Sequence, residues 1–185
     1  SSWNLLVEGS AYGLLGLFEL RMHNRFRAIS CGLKAIKLIG KAKSMDPELY
    51  EADMPLGMYV YIRSRLSIDH FWLPFFKDRR EEGIDQIKKA KQFSNIIREP
   101  SCFVLSLIYK KEKDWPKLIK EGIQLSEKNP NGIVSYLLLF LAYVNTEKYE
   151  LAEKNIEKVL SIKKDYYLAE YLKGFLLFKK VNRIE

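Results

Sequence analysis

The sequence predicts an all-α chain of consecutive helical hairpins, and three observations carry that expectation. Apolar residues recur at steps of three and four almost throughout the 185 residues, with no run of strict alternation that would mark a strand. Ten Gly and six Pro are too few for a turn-rich all-β protein. The periodic segments are separated by residues that stop one helix and cap the next. These breaks are Ser44-Met45-Asp46-Pro47, Arg98-Glu99-Pro100, Asp114-Trp115-Pro116, Asn129-Pro130-Asn131-Gly132 and Lys163-Lys164-Asp165. With 48% hydrophobic residues the chain can bury a core, so disorder is excluded.

In chain order, the first helix is expected at 3–24, where Gly9, Gly13 and Gly16 invite a neighbouring helix to approach closely. A second, 28–45, stops at Asp46-Pro47, and a third follows at 51–66. An insertion around 64–80 holds the apolar run His70-Phe71-Trp72-Leu73-Pro74-Phe75-Phe76, expected to fold back over its own hairpin. The fourth helix, 78–94, opens on Asp78-Arg79-Arg80-Glu81, which has the spacing of a capping box. Helices at 99–112, 115–128, 133–145, 148–163 and 166–181 complete the chain. The apolar stretch from Ile133 to Val144 is too short to cross a bilayer, which needs about 20 residues.

The later helices repeat. When 99–132 is set above 133–166, an offset of 34 residues, Leu105 falls on Leu139, Tyr109 on Tyr143, Trp115 on Tyr149, Leu118 on Ala152 and Leu125 on Val159. A further unit begins at Tyr167 with Leu168, Tyr171 and Gly174. In these residues the chain resembles the tetratricopeptide repeat (TPR) family, whose unit is about 34 residues of helix–turn–helix. The pattern places small residues, Ser106 and Gly174, where paired helices meet, with Tyr109 and Tyr143 in the seam and Trp115 and Tyr149 wedged at the start of each second helix. It departs from the family at Phe140, where a small residue is usual, at Gly122, where a large one is, and at Lys164, where Pro is usual. The first half shows the pattern with longer connections. Ala35, Ala42 and Pro47 are spaced as a second helix and its terminal Pro, Leu56, Gly57 and Val60 as the next first helix, and Gly83, Ile87 and Ala90 as its delayed partner. The expected organisation is one TPR-like domain over 1–185: degenerate repeats over 28–97, clear repeats at 99–132 and 133–166, and a terminal helix over 167–185.

The resemblance implies an α-α superhelix of hairpins whose concave face is made mainly by each unit's first helix, and a role as a protein-interaction scaffold. By position, Met58, Tyr61, Phe103, Leu107, Leu137, Leu141, Tyr171 and Phe175 would line that face. Being apolar, they suit an apolar helix or extended segment rather than a C-terminal carboxylate. A lipid or other small apolar ligand in the same concavity is the alternative. The last helix, with Leu176, Leu177 and Phe178, raises a homodimer contact as a further expectation.

Charge is uneven. The net charge is +8, and residues 20–45 hold seven cations and no acid. Among them Arg27, Lys34, Lys37 and Lys41 form the candidate basic patch, with Lys34, Lys37 and Lys41 spaced to share a helix face. A solvated face is the plain reading, and a membrane-surface adaptor the functional one. The absence of basic residues among the groove aromatics argues against nucleic acid. No phosphate-binding glycine loop, nucleophile elbow or HExxH occurs, so no enzyme activity and no cofactor are expected. Two Cys and two His argue against a structural zinc site, and Cys31 and Cys102, both in apolar patterns, are expected to be buried thiols. The start, Ser1-Ser2-Trp3-Asn4-Leu5-Leu6, has no basic leader and no small-residue cleavage site. That fits a cytoplasmic chain and equally an exported one whose leader has been removed.

Overall fold

The computed structural model describes residues 1–69 and 78–181, with side chains described throughout except at 67–69. The aromatic run His70–Phe76 and the neighbouring Asp69-His70 pair lie outside the described side chains. Among the described residues every regular element is helical, and the chain divides into two compact units, Ser1–Ser101 and Cys102–Glu185.

In the N-terminal unit, α1 (Ser2–Arg21) packs against α2 (Arg25–Met45). Ser1 Oγ accepts from the Asn4 N–H at 3.3 Å and caps the start of α1. The helix stops three residues before the expected 24 because His23 turns left-handed, at φ 62°. The His23 and Asn24 N–H groups then close back on Leu20 O and Glu19 O. Glycines set the helix separation. A Cβ at Gly9 would stand 2.6 Å from Ile39 Cγ1 and 3.0 Å from the Ala35 carbonyl oxygen. A single 3₁₀ turn, Tyr50–Ala52, leads into α3 (Asp53–Asp69), which pairs with α4 (Arg80–Phe93). Here the approach is closer still. A Cβ on Gly57 would meet the Gly83 carbonyl oxygen at 2.5 Å, and one on Gly83 would meet Gly57 O at 2.6 Å and Tyr61 N at 2.8 Å.

The two hairpins of this unit are joined around the 3₁₀ turn. Leu6, Ile39, Ala42, Leu49 and Ala52 form a shared apolar cluster. Lys43 Nζ meets Asp53 Oδ2 at 2.8 Å, and the Asp53 side chain is only 9% exposed. Ser94 Oγ donates to Glu51 at 2.7 Å, and the Tyr50 and Phe93 rings lie 4.9 Å apart. The expected capping box at 78–81 takes another form: α4 begins at Arg80, and the Asp78 carboxylate accepts the Arg80 N–H two residues on, at 3.0 Å. A side chain two residues from the N–H it caps makes an Asx turn instead of a box.

In the C-terminal unit, α5 (Arg98–Glu112), which starts just before the boundary, is followed by α6 (Trp115–Lys128), α7 (Ile133–Asn145), α8 (Tyr149–Ile162) and α9 (Tyr167–Val181). Asp114 caps α6, its carboxylate accepting the Lys117 N–H at 3.2 Å. α7 packs on both α6 and α8, and α8 on α9. The core is built from large side chains: Leu139, Phe140 and Tyr143 of α7, Ile156 and Val159 of α8, and Leu176 of α9. The departure at Gly122 is taken up by Leu139, whose Cδ2 and Cγ would stand 2.9 and 3.0 Å from a Cβ at 122. Gly174, expected at a close approach, has nothing within 4 Å of its Cβ direction. Cys31 and Cys102 are both buried.

Candidate functional site

The repeat spacing generates a ladder on the C-terminal unit. Phe103 and Leu107 on α5, Leu137 and Leu141 on α7, and Tyr171 and Phe175 on α9 are three i,i+4 pairs, each separated from the next by 34 residues. An i,i+4 pair lies on one stripe of a helix, and equal spacing places that stripe on the same side of each repeat. The neighbouring positions Leu105, Tyr109, Leu139 and Tyr143 are buried, so these helices have used another face for packing. The ladder stays open. Phe103 is 39% exposed, Leu107 44% and Tyr171 70%, with Phe175 comparable to Phe103 and Leu137 and Leu141 half-buried.

The two remaining candidates, Met58 and Tyr61, lie in the N-terminal unit. Met58 is half-buried, whereas Tyr61 is buried beside the Gly57–Gly83 crossing, where its backbone packs against α4. Tyr61 is therefore part of a hairpin seam and presents almost no surface. Phe178, by position also expected on this face, is 63% exposed. The sequence reading omits Val134 and Leu168, again 34 residues apart and exposed at 53% and 46%, which extending the offset by one turn towards the N-terminus adds.

Around the ladder lie exposed lysines, ion pairs and the exposed acids Glu99 and Glu170. Lys110 is exposed on α5, and Lys179 Nζ stands 5.8 Å from the centre of the Phe175 ring. Lys180 bonds Glu153 at 2.5 Å and Lys173 pairs with Glu157 at 3.6 Å. The Lys180 hydrogen bond holds the Glu153 carboxyl below its ordinary range.

The candidate basic patch is only partly available. Arg27 Nε pairs with Glu19 at 3.0 Å, and Lys34 Nζ donates to the Tyr12 hydroxyl at 2.5 Å while lying 3.9 Å from that ring's centre. The hydrogen bond to Tyr12 raises Lys34 above its ordinary value, so it stays charged at neutral pH. Lys37 and Lys41 are exposed.

For chemistry there is little to assemble. A cavity of about 320 Å³ at the start of α4 is lined by Asp78, Arg79, Arg80, Glu81 and Glu82. Its charges pair within the segment, Arg79 with Glu82 and Arg80 with Asp78. Among the described residues no group of three or more His, Cys, Asp or Glu could hold a metal ion. No described helix is long and apolar enough to cross a membrane.

No protein-family model and no curated protein matches the sequence. Solved structures do resemble it. The MamA RS-1 ArsTM double mutant has a TM-score of 0.65 at 13% identity, over 94% of this chain and 85% of that one. MamA from AMB-1 has a TM-score of 0.59 at 14% identity, over 96% and 84%. YrrB, a TPR protein with an unusual peptide-binding site, matches at 0.47 and 14% identity, over 88% and 90%. The chain has an all-helical fold like that of the MamA structures.

Proposed function

We propose that the protein is a non-catalytic interaction scaffold that captures an apolar peptide or helix on the ladder of its C-terminal unit. The observation that carries this is the spacing: three successive repeats carry the same i,i+4 apolar pair, exposed on α5 and α9 and half-buried on α7. A bound segment would bury Phe103, Leu107, Leu137, Leu141, Tyr171 and Phe175. Aromatic anchors of this kind dominate the energy of such contacts. An amphipathic helix laid across the rungs would use its own i,i+3/i+4 stripe.

The test is selection of ligands from a displayed peptide library with the wild-type chain and with Phe103→Glu/Leu141→Glu. Phe103 is exposed and Leu141 half-buried, and circular dichroism of the variant should match wild type. Enriched peptides should carry apolar residues at helical or alternate spacing and lose at least tenfold in affinity for the variant. Equal affinity for both proteins removes the ladder as the site.

A further inference from the structure

We infer that the α1–α2 hairpin is a peripheral membrane-binding element, its α1 lying flat in the surface of an anionic phospholipid bilayer. This rests on the N-terminal unit alone, and so stands or falls apart from peptide capture on the C-terminal ladder.

The helix α1 is apolar on two opposite sides. One stripe, Leu6, Gly9 and Gly16, is buried, and its glycines bring α2 up against the backbone. The opposite stripe runs Trp3, Val7, Ala11, Leu14 and Phe18 in steps of four, four, three and four. It is exposed along its length, with Val7 62%, Leu14 68% and Phe18 59% exposed, and α2 adds Phe26, Ile29 and Leu33. A helix apolar all round is normally enclosed by protein or lipid. Solvent exposure of such a stripe marks a contact surface.

Charge selects the occupant. Arg21 ends the exposed stripe, one turn beyond Phe18, and Arg25 follows at the start of α2. Lys34 and Arg27 reach from α2 onto the flank of α1, at Tyr12 and Glu19. Lys37 and Lys41 are exposed farther along α2. Residues 1–45 hold seven cations, of which Arg27 is paired with Glu19 and Lys43 with Asp53, against two acids, Glu8 and the buried Glu19. An apolar helix face backed by cations matches the two layers of an anionic bilayer, acyl chain below and phosphate above. Face-to-face pairing of two copies would instead bring two sets of these cations together. On α9 two of three lysines, Lys173 and Lys180, are paired with Glu157 and Glu153, and only Lys179 stands exposed, beside Phe175. With no described helix able to span, the mode is lying on the bilayer and not crossing it.

The experiment is co-sedimentation of the full chain with vesicles of phosphatidylcholine alone and of phosphatidylcholine mixed with phosphatidylglycerol. Partitioning should be at least tenfold stronger on the mixed vesicles and should weaken as salt rises. Leu14→Glu/Phe18→Glu should abolish it with circular dichroism unchanged. Arg21→Gln/Lys37→Gln should weaken it roughly 25-fold, about fivefold per cation. Tyr171→Glu/Phe178→Glu on α9 should leave it intact. Equal binding to both vesicle types, retention by the Leu14/Phe18 variant, or no binding overturns the inference. So does a concentration-dependent dimer in lipid-free buffer that Leu14→Glu/Phe18→Glu converts to monomer, which would assign the stripe to a second copy.

Discussion

The two units build the same helical hairpin from opposite materials. In the N-terminal unit the helices meet backbone to backbone, at Gly9 and Gly16 in the first hairpin and at Gly57 and Gly83 in the second. Polar contacts then secure the joint between them: Lys43 with Asp53, and Ser94 with Glu51. In the C-terminal unit the α7–α8 seam is filled by Leu139, Phe140, Tyr143, Ile156 and Val159, and ion pairs such as Lys180–Glu153 lie near the surface. Contact through backbone requires short range and tolerates no added atom. Contact through large side chains works at longer range and can be repacked. Stability in the first unit should therefore hinge on single atoms and single charges, and in the second on summed apolar area.

The largest expected effect tests the charges. Lys43→Met keeps the apolar stem but strands Asp53, whose side chain is 9% exposed, without its cation. Loss of one partner of a buried pair should cost about 3 kcal/mol in urea unfolding. Lys180→Met, removing a pair whose side chains are 30% and 32% exposed, should cost no more than about 0.5 kcal/mol at neutral pH. That smaller effect has a direction in pH. Lys180 lowers the Glu153 carboxyl below its ordinary 4.5, so the pair stabilises the fold above that value, and the contribution disappears as pH falls through the folded value. Equal losses for the two variants at pH 7 would erase the distinction between the units.

Next come the glycines. Gly83→Ala places a methyl 2.6 Å from Gly57 O and 2.8 Å from Tyr61 N, backbone atoms that cannot swing away, and should cost about 2 kcal/mol. Gly174→Ala, with nothing within 4 Å on α9, should stabilise by about 0.8 kcal/mol, the helix-propensity difference alone. Opposite signs, read from paired urea midpoints, are the expected outcome. A neutral Gly83→Ala would mean that the α3–α4 seam relaxes as readily as a side-chain seam.

The same contrast explains what the sequence makes legible. Among the described residues all nine α-helices are expected from periodicity and breaks, and their described ends lie within three residues of the expected ones, with 115–128 and 133–145 coinciding. Large residues at a 34-residue offset advertise the C-terminal repeats directly, since Leu139, Tyr143 and Val159 each leave a bulky mark in the alignment. Glycine contacts leave no such mark. Gly83 and Gly174 look alike in sequence, yet one is locked against backbone and the other touches nothing, because a missing side chain does not say what approaches it. The candidate site divides in the same way. The three ladder pairs follow from spacing, whereas burial of Tyr61 depends on how closely α4 crosses α3. The outer stripe of α1 was hidden because an all-round apolar helix has no single period by which to separate its two faces.

The smallest expected effect concerns what the two units share. Three hairpins turn on a left-handed residue that is not glycine: His23, Lys113 and Glu147, with φ of 62°, 59° and 57°. In each, the next N–H reaches back five residues, from Asn24 to Glu19 O, Asp114 to Tyr109 O and Lys148 to Tyr143 O, at 2.9 Å. Residues 2–45 thus close with the same turn as the clear repeats, although their helix seams are built differently. A non-glycine residue in this region bears a conformational cost of about 1–2 kcal/mol, part of which glycine forfeits by its greater freedom when unfolded. Glu147→Gly, Lys113→Gly and His23→Gly should each stabilise by about 0.5 kcal/mol, and the gains should be equal and additive because the sites are distant. Equal gains would establish the turn as the common element of both units. A gain confined to Lys113 and Glu147 would show that the first hairpin draws on its His23 side chain for something the later turns do not need.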